Sequence, residues 1–223
     1  QLMAVVCTKE GKTGKIYLSA DEVPDYVIPD EKEIWKRIEK LCEETGLSVP
    51  EEDMDTNDPT TVAGRGFGIT KWHELFTHRQ LLALLTFTKW VRGLENKISD
   101  LDLLREVLTY LGLVCDRVNY YNSAFCTWHI TREVIGGTFG RQAIPMVWDF
   151  TEINPFGDAS GNLEGALDWV LGVLKELINV KNSAEVIRAS ATELPYSNNF
   201  FDAIITDPPY YDNISYAALS DFF

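Results

Sequence analysis

Two consecutive prolines, Pro208 and Pro209, stand shortly after the apolar run "FFDAIIT" of residues 200–206. A residue that precedes proline is restricted to extended conformations, and proline itself fixes φ and donates no backbone hydrogen bond. Residues 200–206 can therefore form a strand only if that strand stops at Asp207. The chain must then leave the strand as a stiff segment whose carbonyl groups are free. Ligands of open α/β sheets bind beside the carboxyl ends of strands, so the pattern predicts the border of a binding site.

Predicted helices and strands alternate in the last third of the chain. The run "RQAIPMVWDF" of residues 141–150 predicts a strand, "TEINPFGDASGN" a loop and "LEGALDWVLGVLKELINV" a helix. The run "AEVIRAS" of residues 184–190 then predicts a second strand, followed by the turn "ATELPYSNN" and residues 200–206. A short helix is predicted from about Tyr216. This alternation is typical of an α/β unit with parallel strands.

The earlier part of the chain contains the clearest helix signals. "DEKEIWKRIEKLCEETG" has Asp30 as N-cap and Gly46 just past its end, and "FTHRQLLALLTFTKWVRGL" has Thr77 as N-cap with Gln80 three residues later. "MAVVC" and "KIYLSA" predict a hairpin, and residues 99–130 a second long helical segment. We expect residues 1–60 to form a hairpin plus a helix in an acidic accessory region. Residues 61–140 then make a mainly helical insertion, and residues 141–223 part of the α/β core.

The charge balance is strongly acidic. There are 34 Asp and Glu against 20 Lys and Arg, so the formal net charge is −14. Because phosphate contacts require Lys and Arg, this balance argues against strong nucleic-acid binding by the chain alone. The four cysteines are scattered without a C-x-x-C pair, which indicates reduced thiols in a cytoplasmic protein and no zinc site. No apolar run is long enough to span a bilayer, so no membrane association is expected.

The residues Asp207-Pro208-Pro209-Tyr210 form a set that suits a planar amino group attached to a ring. The Asp207 carboxylate and the Pro208 carbonyl can accept its two N–H hydrogens, and Tyr210 can stack on the ring. Two acceptors outside the ring plane favour a pyramidal nitrogen whose lone pair is exposed to an electrophile. An enzyme that modifies a base must also remove that base from the stack, where aromatic faces receive it.

The run "IITDPPY" resembles the catalytic motif of amino-methyltransferases, which transfer methyl from S-adenosylmethionine to exocyclic nitrogens. "FGITKWHELFTHRQLLALL", "TFGRQAIPMVWDFTEINPF" and "TDPPYYDNISYAALSDFF" are similar to large adenine-specific DNA methylases of bacteria and archaea that are described as carrying a zinc ribbon. The resemblance implies a Rossmann-like α/β fold with a largely helical insertion. It implies DNA as partner, adenine N6 as target, and Asp207, Pro208, Pro209 and Tyr210 as catalytic residues.

The resemblance also implies binding roles for residues on either side of the motif. Ser190, Ala191 and Leu194 match the positions that usually contact the cofactor, although the family often has Asp in place of Ser190. By position alone, Tyr211 and Asn213, with the intervening Asp212, follow the motif and are expected to hold the target base; for Asp212 and Asn213 a role in a turn is the alternative.

The family's glycine-rich cofactor loop after the first strand has no match in this sequence. "GRGFGI" of residues 64–69 neither follows a clear strand nor opens a helix, and it predicts a plain turn. "NPFGDASG" of residues 154–161 lacks one glycine of the pattern. We therefore expect an incomplete core that binds S-adenosylmethionine weakly or not at all. The Gln at the start and the apolar "YAALSDFF" at the end suggest an internal fragment of a longer protein.

Two other functions remain open at this point. One is methylation of guanine N2 in RNA, because the pocket that binds the amine is alike in DNA adenine and RNA guanine methyltransferases. The other is a non-catalytic interaction module that retains the strand for folding. The histidines, as possible metal ligands, and Arg79, as a possible phosphate contact near a helix start, are further candidates. We expect both to have structural roles instead. Residues 154–156 are a lesser candidate for lining the site.

Overall fold

The structure is a computed structural model that describes residues 2–9, 11, 14–23, 29–55, 57–58, 60–61, 66–211 and 213–223. It combines helices with two small antiparallel sheets. The elements in chain order are β1 (Ala4–Thr8), β2 (Lys15–Ser19), α1 (Glu31–Thr45), α2 (His78–Arg92), α3 (Leu101–Tyr120), β3 (Trp128–His129), β4 (Val134–Ile135), α4 (Leu163–Leu177) and α5 (Tyr216–Ser220). Within the described ranges, no helix has the length and apolar character needed to cross a bilayer.

The amino-terminal hairpin is confirmed. Strands β1 and β2 pair antiparallel, with Ala4 opposite Ser19 and Thr8 opposite Lys15. The hairpin is attached to the rest of the molecule through Tyr17, whose hydroxyl lies 3.3 Å from the Glu133 carboxylate. The indole Nε1 of Trp128 donates to the same hydroxyl oxygen at 3.3 Å. The hairpin therefore packs beside the β3–β4 sheet.

Helix α1 begins and ends where its capping residues predict. The Asp30 carboxylate accepts a hydrogen bond from the Lys32 amide at 2.7 Å. Gly46 adopts the left-handed conformation with φ of 69°, which a residue with a Cβ adopts only at a cost. The apolar stripe of α1 is buried against α2, and this first core cluster contains Ile34, Ile38, Leu41, Leu81 and Leu85.

Helix α2 has the predicted reciprocal cap. The Thr77 amide donates to the Gln80 side chain at 2.8 Å, and the Gln80 amide donates to the Thr77 hydroxyl at 3.2 Å. These two bonds satisfy donors that the first turn of a helix leaves free. The opposite face of α2 packs against α3 and α4, in a second cluster made of Phe87, Val114, Val118 and Ala166.

Helix α3 is shorter than the sequence predicts, because it ends at Tyr120 rather than near residue 130. The buried Thr138 hydroxyl donates to the Tyr120 carbonyl at 2.8 Å and pairs with the Ser123 hydroxyl at 2.7 Å. These hydroxyls replace the hydrogen bonds that a further helical turn would make. The chain after Tyr120 turns into the short β3–β4 sheet instead.

Three predicted strands are absent from the structure. Residues 141–150 form a loop, in which Ile144 is buried and its amide donates to the Thr60 carbonyl at 2.8 Å. Residues 184–189 and 200–206 pair with no strand and lie on the surface, and Ser190 forms only an isolated bridge with Glu193. A strand is stable only beside another strand, and no described residue supplies one next to these segments. The parallel sheet expected from the alternating pattern is therefore not formed within the described residues.

Gly137 provides a direct test of the packing after α3. A Cβ built on Gly137 would lie 1.9 Å from Cε1 of Tyr120, whose hydroxyl donates to the Phe139 carbonyl at 3.1 Å. We expect Gly137→Ala to lower the free energy of unfolding by about 1–3 kcal/mol through overpacking. Gly112, inside α3, meets nothing within 4 Å, so Gly112→Ala should instead stabilise by roughly 0.5–1 kcal/mol. Urea denaturation measures the change in the free energy of unfolding for both variants. Equal changes would contradict the close packing of Gly137 against Tyr120.

Glu74, just before α2, gives a pH-dependent prediction. Its carboxylate accepts hydrogen bonds from the amides of Thr70 at 2.7 Å and Lys71 at 3.0 Å, and these bonds lower the pKa of Glu74. A lowered folded-state pKa adds stability above the unfolded pKa, and this stability is lost as pH falls through the folded pKa. Glu74→Ala should therefore lower Tm at pH 7, and the difference from wild type should shrink below about pH 4. Glu106→Ala, which removes a carboxylate from the exposed face of α3 where no described amide donates to it, serves as the matched control.

Candidate functional site

The segment Asp207-Pro208-Pro209-Tyr210 belongs to neither a helix nor a strand and lies on the surface. The Asp207 carboxylate makes no hydrogen bond or ion pair with another described residue. Tyr210 is 67% exposed. The acceptors and the aromatic ring that the sequence singles out are thus adjacent and available to a ligand.

One hydrogen bond links this segment to the folded helices. The Tyr210 amide donates to the hydroxyl oxygen of Tyr216, the first residue of α5, at 3.4 Å. Helix α5 leads to the buried Phe222, whose ring stacks on Phe76 with centroids 5.6 Å apart. The carbonyl of Phe222 also accepts a hydrogen bond from the Asn119 amide group at 2.9 Å. The helical core therefore positions the segment through α5.

The predicted cofactor contacts Ser190, Ala191 and Leu194 lie in a surface turn. The Glu193 amide donates to the Ser190 carbonyl at 3.2 Å, and the Thr192 amide donates to the Ser190 hydroxyl at 3.3 Å. The Ser190 hydroxyl also lies 2.8 Å from that of Thr192. The predicted turn is confirmed, but its polar groups bond to one another, and none of its described residues hydrogen-bonds to the segment at Asp207.

Three aromatic side chains between the turn and the motif form a cluster that sequence reasoning missed. Tyr196 stacks on Phe200 with centroids 4.8 Å apart, and Phe201 meets Tyr196 edge-on at 4.7 Å. Asn199, between them, has a positive φ of 62°, which asparagine tolerates better than most residues. The spacing of the three aromatic residues on either side of "SNN" is the sequence signal that could have predicted this cluster. The cluster holds the start of residues 200–206 against the preceding turn.

The predicted base contacts after the motif remain predictions. Tyr211 is 95% exposed, and Asn213 is exposed as well. Asp212 lies outside the described residues. No side-chain hydrogen bond of Tyr211 or Asn213 to another described residue competes with a ligand.

Arg79 is engaged within the protein. Its guanidinium donates to both carboxylate oxygens of Glu152, at 2.7 and 2.8 Å, and to Glu31 at 3.1 Å. The hydrogen bond with Glu152 raises the pKa of Arg79. A guanidinium paired in this bidentate way serves to join α1, α2 and the loop at residue 152. Its availability to a phosphate group is correspondingly small.

Two histidines have structural partners, as expected. His73 Nδ1 lies 3.1 Å from the Pro50 carbonyl oxygen, and His78 Nδ1 lies 2.8 Å from the Glu31 carboxylate. Burial raises the pKa of the Cys115 thiol, which keeps it protonated and poorly nucleophilic. The described residues contain no group of three His, Cys, Asp or Glu side chains arranged to hold a metal ion.

The other glycine-containing loop also has a packing role. Gly161 has φ of 88°, and a Cβ on it would lie 2.8 Å from Cβ of Tyr121. The Asn154 side chain accepts a hydrogen bond from the Phe156 amide, and the Phe156 ring meets Phe87 edge-on. Residues 154–161 thus form a turn packed against α2. Gly64 and Arg65, the first two residues of "GRGFGI", lie outside the described residues.

No match was found among protein-family models, curated proteins or solved structures. The functional argument therefore depends on the residues themselves and on their positions.

The link between Tyr216 and the motif can be tested directly. Tyr216→Phe removes the hydroxyl that accepts from the Tyr210 amide. A net hydrogen bond contributes about 0.5–1.5 kcal/mol, so exchange of the Tyr210 amide should become roughly 2- to 10-fold faster. Residue-resolved hydrogen exchange measures this rate. Tyr110→Phe, at another surface tyrosine, is the control, and equal exchange rates in both variants would contradict the link.

Proposed function

We propose that the chain carries the amine-binding segment of an S-adenosylmethionine-dependent methyltransferase that methylates adenine N6 in DNA. One observation carries the proposal: Asp207-Pro208-Pro209-Tyr210 presents a carboxylate, prolyl carbonyls and an aromatic ring together on the surface, and no other described residue hydrogen-bonds to the Asp207 carboxylate or to the Tyr210 hydroxyl. Unpaired acceptors beside an exposed ring are suited to a flipped base that carries an amino group.

The proposed roles follow from hydrogen-bonding capacity. The Asp207 carboxylate and the Pro208 carbonyl accept the two N–H hydrogens of the amine, while Tyr210 stacks on the base. Pro209 restricts the backbone so that these acceptors keep their spacing. The cofactor supplies an electrophilic methyl group on a sulfonium leaving group when bound. The Asp207 carboxylate stabilises the positive charge that develops on the amine, and accepts or relays the proton that the nitrogen loses.

The cofactor half of the site fits less well. The residues proposed to contact the cofactor, Ser190, Ala191 and Leu194, form an exposed turn whose hydroxyls bond to each other. The described residues contain no glycine-rich loop between a strand and a helix. For this reason no catalytic step is assigned to that turn.

The proposed fold is a Rossmann-like core to which residues 184–190 and 200–206 contribute strands once neighbouring strands are present. Support comes from the order of helix α4, an apolar segment, a turn and a second apolar segment that ends at the proline motif. A cytoplasmic location accords with four free cysteines. Since the net charge is −14, contacts with DNA phosphates would have to come mainly from basic groups outside this chain.

The test is methyl transfer from labelled S-adenosylmethionine to unmethylated DNA by the protein at its natural length. Asp207→Ala should lower kcat by about 10²–10³-fold, because it removes an acceptor that stabilises developing charge. Asp202→Asn, five residues upstream on the same exposed segment, should leave kcat unchanged.

Three outcomes contradict parts of the proposal. Activity that survives Asp207→Ala overturns the catalytic role. Transfer to guanine N2 of RNA but not to DNA supports the RNA alternative. Absence of transfer to either nucleic acid in the wild-type protein supports a non-catalytic module.

A further inference from the structure

Two of the described arginines are half-buried, Arg79 and Arg117, and they are bonded very differently. The Arg79 guanidinium donates to the carboxylates of Glu31 and Glu152. The Arg117 guanidinium donates to no described residue, and no described carboxylate forms an ion pair with it. Its nitrogens are not among the fully buried atoms that lack a partner, so its donors are accessible from solvent. Arg117 is therefore a positioned cation whose hydrogen-bonding capacity is unused within the described residues.

Arg117 is held in place by two aromatic rings. Its Cζ atom lies 4.5 Å from the centre of the Trp169 ring and 5.6 Å from the centre of the Tyr121 ring. Both distances are within the range of about 6 Å over which an aromatic ring attracts a cation. This attraction stabilises the charge of a guanidinium without using its N–H donors, which remain able to bind an oxyanion in a bidentate way.

The rings themselves are positioned by packing. The ring of Tyr121 meets that of Tyr120 edge-on with centroids 4.8 Å apart, and a Cβ added to Gly161 would lie 2.8 Å from Cβ of Tyr121. Arg117 and Tyr121 are four positions apart at the end of α3, so their side chains share one side of it. Trp169 belongs to α4, which packs on α3. The two helices thus assemble the three side chains before any ligand binds.

Trp169 adds an aromatic surface that a ligand can reach. It is 65% exposed, although Arg117 contacts its ring. A planar ring can stack on an exposed indole, and an oxyanion can bind the neighbouring guanidinium. Nucleotides carry both groups, a flat base and a phosphate. Proteins that bind single-stranded nucleic acid combine aromatic side chains with arginine in this way.

We propose that Arg117, Tyr121 and Trp169 bind a nucleotide, with its phosphate at the Arg117 guanidinium and its base on the Trp169 indole. The nucleotide is either free or one unit of a single strand, because both present the same two groups. The choice of a nucleotide over another aromatic anion rests on the proposed function. The three residues belong to the α3–α4 pair and not to the segment at Asp207, so this is a second contact for nucleic acid.

The acidic character of the chain makes this single arginine important. Since the net charge is −14, a strand gains one phosphate contact at Arg117 and no extended basic surface. The loss of one phosphate contact from a single strand lowers the slope of log affinity against log salt by about 0.7. Arg117→Ala should therefore change the salt dependence of strand binding as well as the affinity.

The experiment is a titration of the protein at its natural length in low salt. One ligand is a fluorescently labelled single-stranded DNA, and the other is deoxyadenosine monophosphate. Arg117→Ala should raise Kd for at least one of them by about 10- to 150-fold, because a charge-assisted contact is lost. Trp169→Ala removes an exposed ring that contributes little to folding, and it should raise Kd by about 5- to 150-fold. An effect on both ligands assigns a free nucleotide, and an effect on the DNA alone assigns a strand.

A second exposed cation and indole provide the matched controls. Lys97 Nζ lies 5.9 Å from the ring centre of Trp90, which is 63% exposed, but Lys97 is itself exposed. Lys97→Ala and Trp90→Ala should leave both Kd values and the salt slope unchanged. The proposal is overturned if the wild-type protein binds neither ligand. It is also overturned if Arg117→Ala and Lys97→Ala bind with equal affinity.

These outcomes are separate from those of the methyl-transfer assay. Binding that depends on Arg117, together with methyl transfer that survives Asp207→Ala, overturns only the catalytic role of Asp207. Methyl transfer that requires Asp207, together with binding that is indifferent to Arg117 and Trp169, overturns only the nucleotide site on α3 and α4.

Discussion

Helix α2 is packed on two sides, and the arrangement of the other helices depends on this. Leu81 and Leu85 pack against α1, while Phe87 on another side contacts the cluster shared by α3 and α4. Burial of a large apolar side chain contributes about 1.5–3 kcal/mol, so both contacts are substantial. The paired Arg79 and Glu152 then join the start of α2 to α1 and to the loop that precedes α4. Through α2, residues far apart in sequence become one packed body.

The candidate site depends on that body only at its carboxyl end. Phe222 is buried among aromatic rings, and α5 carries Tyr216 from this anchor toward the Tyr210 amide. The proline pair supplies local stiffness, while α5 supplies a position relative to the core. The stiffness comes from the covalent ring of each proline, whereas the position comes from packing contacts of α5. Residues 184–206 contain no such proline pair, and all of them are exposed except Tyr196.

Sequence reasoning succeeded where a short stretch determines its own structure. The caps at Asp30, Gly46 and Thr77 involve residues no more than four positions apart, and helices α1 and α2 begin and end accordingly. It failed for residues 141–150, 184–190 and 200–206. Strand formation requires a neighbouring strand, and composition alone does not show whether one is present.

The end of α3 and the role of Arg79 illustrate the same limit. Helix propensity continues past Tyr120, but the Thr138 hydroxyl, 18 residues later, bonds to the Tyr120 carbonyl and the chain turns. Arg79 finds its carboxylate 73 residues away. Neither partner can be identified from local pattern.

The local stiffness and chemistry of Asp207-Pro208-Pro209-Tyr210, by contrast, are properties of those four residues. Proline geometry and side-chain hydrogen-bond acceptors are set by the covalent structure of the residues themselves. The sequence by itself therefore determined the caps, the helices and the acceptor set at Asp207. Only the tertiary structure decided which polar groups are already paired, and which apolar segments remain uncovered, because both depend on contacts between residues distant along the chain.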